Sequence, residues 1–76
     1  MKSQWQTHDG HTVRTGDQVW VQNGSGPFIL TDPKDIDHRY PSGYVWLMNA
    51  HDRTDGMLFA DEDIPIMAYR VRPTPY

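Results

Sequence analysis

Apolar residues in this chain recur with a period of two, in bursts of four to six residues. No window of a dozen residues holds them at helical spacing. Gln18-Val19-Trp20-Val21-Gln22 alternates and is rich in β-branched and aromatic types, which suit a pleated strand. Asn23-Gly24-Ser25-Gly26 follows as a turn, and Pro27–Thr31 reads as a second strand with Pro at its entry, where a missing N–H is tolerated. Tyr44–Met48 is the longest unbroken apolar run and reads as a third strand, with Met57–Ala60 as a fourth and Ile66–Val71 as a fifth. Asp61-Glu62-Asp63 reads as one helical turn with acids at its N-terminal end. Before all of these, Trp5-Gln6-Thr7 and Thr12-Val13-Arg14 flank Asp9-Gly10, a good hairpin turn.

Composition agrees with short strands and loops. Of ten acids, nine are Asp and one is Glu, and Asp favours turns and caps over helix interiors. Seventy-six residues allow one domain, and a chain this short buries only ~60% of the surface its unfolded form exposes. There is no cysteine, so no disulfide or Cys-based zinc site can help. Three Trp, four Tyr and two Phe compensate, since each aromatic can bury ~150–250 Å². The expected fold is all-β: a small SH3-like, five-stranded, strongly bent sheet or barrel. It carries an N-terminal hairpin or extension over residues 1–15, the barrel over 16–72, and a proline-bearing tail over 73–76. Bending the sheet lets a small chain hide its edges around one core. Alternation places Val19, Val21, Phe28 or Ile29, Leu30, Val45, Leu47, Phe59, Ile64 and Val71 inside; a one-residue slip would reverse the faces of any strand.

Several short motifs carry a family likeness. They are Gly16-Asp17-Gln18-Val19-Trp20-Val21, Gly26-Pro27-Phe28, Gly43-Tyr44-Val45-Trp46-Leu47 and Phe59 through Ile64, preceded by Asp9-Gly10. This pattern resembles the small SH3-like barrel proteins of bacteria, phages and mobile elements, including the YodC-like group, over roughly residues 9–65. The resemblance implies a barrel fold and an accessory role, and it brings no assigned activity. The type II dihydrofolate reductases look similar in length and in the Gly-Asp-x-Val start. Their Val-Gln-Ile-Tyr segment is absent, so that activity is not carried over.

If Val19, Val21, Val45 and Leu47 face inward, then Trp20, Trp46 and Tyr44 face outward. With Tyr40 they could line an aromatic groove for a peptide; the plainer alternative is a second small core beneath the N-terminal segment. The tail Pro73-Thr74-Pro75-Tyr76 is set near polyproline II geometry and is read either as a groove ligand or as a frayed end. His8-Asp9-Gly10-His11 has zinc-ligand chemistry but sits in a turn, and is read as solvated; no metal or cofactor is expected. Asp32, Asp35, Asp37 and His38 do not match a calcium-loop spacing and are read as a solvated loop with side-chain-capped turns. Ser3, Ser25 and Ser42 stand in no nucleophile motif, and Gly24-Ser25-Gly26 leads into a strand rather than a helix. The expected protein is therefore no enzyme but a small module that binds a protein or peptide, with its acidic loops selecting a basic partner.

Two other readings stand beside it. Arg14, Arg53, Arg70 and Arg72 would have to converge on one face for nucleic-acid binding, and the net charge of −3 argues against this. Self-assembly would bury surface that so small a core leaves open. The N-terminus shows no apolar signal segment, and no stretch approaches the ~20 apolar residues of a membrane span. A cytoplasmic chain with no membrane contact is the expectation.

Overall fold

The computed structural model describes residues 4–73. Its strands are β1 (Trp5–Gln6), β2 (Thr12–Val13), β3 (Gln18–Val21), β4 (Phe28–Thr31), β5 (Tyr44–Asn49), β6 (Gly56–Ala60) and β7 (Ala68–Tyr69). A 3-10 turn at Pro33–Asp35 lies in the long loop. A second, at Asp61–Asp63, runs directly into a single helical turn, α1 (Ile64–Met67). β1 and β2 pair as a hairpin, and the other strands form one sheet in the order β6-β5-β4-β3-β7, with antiparallel pairing throughout. The sheet curls strongly into a half-barrel.

Glycines set that curl. At Gly16 the backbone is left-handed (φ +96°), as the third residue of a turn closed by the Asp17 N–H on Arg14 O. Gly16 N–H then donates to Leu30 O, while Leu30 N–H donates to Asp17 O. Two residues thus oppose one, which is a glycine bulge, and bulges bend and twist the strand that carries them. The Asp17 carboxylate accepts the Arg14 N–H at 3.0 Å, so both letters of the Gly-Asp motif have local structural work. The same bonding pattern recurs at Gly10-His11 opposite Thr7 and at Gly24-Ser25 opposite Val21.

One core lies in the concavity. Trp5, Val13, Val19, Val21, Phe28, Leu30, Val45, Leu47, Ile64 and Ala68 are buried together, with Met57 and Phe59 packed against them and half-buried. The hairpin is thus part of the main core. Trp5 is 2% exposed, and its indole Nε1–H donates to Asp61 Oδ1 at 2.9 Å. The buried Thr7 hydroxyl bonds the Asp9 carboxylate, so its polar group has a partner.

The inward parity of the central strands is as expected, with Phe28 inside and Ile29 half-buried. The last strand differs. Ile66–Val71 does not form one strand: residues 64–67 are helical and β7 is only Ala68–Tyr69. Pro65 sits in the first helical turn, where its missing N–H leaves no bond unmade. Val71 consequently lies beyond the strand and is 64% exposed, and Ala68 takes the core position. Phe59 points inward but stays half-buried, because no strand lies beyond β6 among the described residues. Of the proline-bearing tail, Thr74, Pro75 and Tyr76 lie outside the described residues, as do Met1, Lys2 and Ser3.

Candidate functional site

The pleat assigns Gln18, Trp20, Ile29, Thr31, Tyr44, Trp46, Met48, Gly56, Leu58, Ala60 and Tyr69 to the outer face of the sheet. None of these positions carries a charge. Register builds the face in rows: Ile29 beside Met48 beside Gly56, Thr31 beside Trp46 beside Leu58, and Tyr44 beside Ala60. Trp46 is half-buried, whereas Leu58 and Tyr44 are 41% and 38% exposed. This uncharged face, with Tyr44 and Leu58 exposed, is the candidate contact surface.

The two outward tryptophans do not share a groove. Trp46 pairs with Thr31 at the end of β4, while Trp20 lies across from the segment entering β4. They are separated by roughly 13 Å along the strands and about 10 Å across them. Each indole lies on a glycine instead. A Cβ at Gly56 would meet Trp46 Cζ2 at 2.5 Å, and one at Gly26 would meet Trp20 Cδ1 at 2.7 Å. An aromatic laid over a glycine shields backbone that lacks a side chain of its own. The structure therefore brings Tyr44 and Trp46 together with Leu58, and leaves Trp20 beside Tyr69. Tyr40 belongs to the loop before β5, half-buried, with its N–H on Asp37 O. Leu58 and Met48 also lie on this face, as does Ile29, which leaves the core position to Phe28. The alternation that puts Phe59 inside also puts Leu58 outside, and that signal was available.

Several of the acidic residues have local structural partners. Asp32 accepts the Lys34 N–H and caps the 3-10 turn. Arg39 donates to Asp37 from its backbone and guanidinium; these bonds hold the Asp37 carboxyl below the usual carboxylate range and raise Arg39. The Thr54 hydroxyl and N–H lower Asp52 in the same way. Loss of hydration disfavours the charged form of Asp9. The Thr7 hydroxyl and the N–H groups of Arg70 and Val71 outweigh this and bring its carboxyl down to about 2. Among the described residues no three His, Cys, Asp or Glu side chains converge as metal ligands. His8 instead packs its ring 5.0 Å from that of Tyr69. An open cleft of about 390 Å³ is lined by Gln4, Trp5, Gln6, Thr12 and Pro65, and no titratable side chain faces it.

Four of the basic residues have hydrogen-bond partners in the fold. Arg70 and Arg72 donate to the carbonyls of Gln18 and Gly24, Lys34 to Ser42, and Arg39 to Asp37. No helix among the described residues is long and apolar enough to cross a membrane. In comparisons with known proteins, no family model, curated protein or solved structure matches this chain.

Proposed function

We propose that this protein is a small non-catalytic module that binds a protein segment through the outer face of its sheet, centred on Tyr44, Trp46 and Leu58. The observation that carries this reading is the uncharged outer face, continuous in register across β4, β5 and β6. Aromatic and aliphatic groups there would supply contact energy, and the acids in the loops at its borders would favour a basic partner. A synthetic array of decapeptides of mixed apolar, acidic and basic composition tests it. Wild-type protein is expected to select peptides with apolar centres and Lys or Arg, and Leu58→Glu with Tyr44→Glu is expected to lose them while melting cooperatively. An array with no selected peptide, or selection untouched by the double change, would overturn the reading.

A further inference from the structure

The backbone pattern of β6 says how such a segment would be held. Asn49 N–H donates to Asp55 O, and Asp61 N–H to Gly43 O, at 3.0 and 2.9 Å. Bonded and unbonded pairs alternate along an antiparallel ladder. Met57 and Phe59 therefore turn their backbone groups toward β5, and Gly56, Leu58 and Ala60 turn theirs away from it. β6 is the outermost strand, and no described residue bonds the N–H groups of Gly56 and Leu58. Nothing blunts this edge: the sequence Gly-Met-Leu-Phe-Ala holds no charge and no proline, the usual protections of an open strand. On the inner face Met57 and Phe59 remain half-buried, so the core is open along the same line.

Charge decides between occupants. A second copy pairing antiparallel about Leu58 would set Asp55 of each chain against Asp61 of the other, which is repulsive. The chain flanking β6 carries Asp52 and Asp55 before it and Asp61, Glu62 and Asp63 after it, against Arg53 alone. We propose that the free edge of β6 accepts an extended peptide as a further strand of the sheet, apolar in its middle and with a basic residue toward each end. This rests on the peptide-binding reading above and adds its mode, strand addition, in which main-chain bonds give affinity and alternate side chains give selectivity. The apolar side chains of the added strand would cover Met57 and Phe59 on one face and meet Leu58 on the other. Its basic ends, six residues apart, would reach Asp55 and Asp61.

The palindromic probe acetyl-Lys-Thr-Val-Leu-Val-Thr-Lys-amide, titrated into the full chain and followed by NMR and amide exchange, is the test. The amides of Gly56, Leu58 and Ala60 are expected to gain protection, with Met57 and Phe59 unchanged. N-methylation of the central Leu of the probe should weaken binding about tenfold or more, and N-methylation of its two Val residues, whose amides point away, should not. Glu in place of both Lys should weaken it by a similar factor. Leu58→Pro should do the same, since that amide takes no part in the ladder with β5; should this variant not fold, the methylated probes still decide. No saturable binding of the Lys-ended probe at millimolar concentration would overturn the proposal. So would binding that tolerates the central methyl group with shifts confined to Tyr44, Trp46 and Leu58; that second result would leave the peptide-binding reading intact. Protection of the β6 amides that rises with protein concentration alone would assign the edge to a second copy and overturn it equally.

Discussion

At one edge of the sheet, β7 is two residues long, its Ala68 carbonyl accepts the His8 N–H, and the next two amides are bound by Asp9. At the other, β6 runs for five residues, and no described residue bonds the outward amides of Gly56 and Leu58. The tip of the N-terminal hairpin, His8 and Asp9, thus closes one side. The contrast teaches that one short chain can treat the two edges of its sheet in opposite ways. The same short chain covers an edge where it has something to cover it with, and leaves uncharged the edge it does not cover.

The comparison breaks most severely at Trp5. Trp5→Ala removes a buried indole and its bond to Asp61, at a cost of ~3–5 kcal/mol, which is most of the stability of a domain this size. A thermal melt followed by circular dichroism is expected to lose its cooperative transition. A melt shifted only slightly would mean that the hairpin is a dispensable appendage. On the open side, Gly56→Val would push a side chain into Trp46 and the Leu47 carbonyl. Overpacking of this kind costs ~1–3 kcal/mol, and urea unfolding should read it.

Asp9 gives the comparison a pH dependence. Its carboxyl is lowered from 3.8 to about 2. A lowered acid stabilises the fold while ionised, so the contribution is complete above pH 3.8 and is lost as pH falls through about 2. Because Asp9 is largely exposed, solvent screening reduces this to roughly 1 kcal/mol. Urea midpoints taken from pH 5 to pH 2 should fall further for wild type than for Asp9→Asn, and the exchange of Arg70 and Val71 amides should quicken in the variant. Parallel midpoints would remove Asp9 from the closed edge. The smallest effect is expected at Leu58→Thr, within about 0.5 kcal/mol of wild type by the same measurement, because that side chain is 41% exposed and its backbone amide is not in the ladder. A much larger loss would mean that β6 is already covered by something.

The central sheet was legible in the sequence because β3 alternates, β5 is an unbroken β-branched and aromatic run, and each is bounded by turn residues such as Gly, Asp or Asn. From that parity follow the buried Val19, Val21, Val45 and Leu47, and the outward Trp20, Trp46 and Tyr44. The ends of the chain were less legible. Trp5 and Val13 lie in strands of two residues, too short for any period to show, and their burial depends on α1 and β7 far along the chain. Ile64-Pro65-Ile66-Met67 has the β-branched look of a strand, yet it directly continues the acidic turn before it, and the helical turn displaced Val71 from the core. The candidate site was legible as a face and not as a groove. Parity says that two indoles point the same way, whereas their separation depends on the register of β4 between them, which no local pattern states.

The bond from Trp5 to Asp61, with the burial of Trp5 beside Ile64 and Ala68, has a consequence for synthesis. Trp5 leaves the ribosome 56 residues before Asp61, and its indole waits that long before this partner can help shelter it from water. At ~5–20 residues per second that wait lasts seconds, during which the indole is available to chaperones or to neighbouring nascent chains. Such distant pairing also slows folding, since most of the loop entropy must be lost before the contact forms.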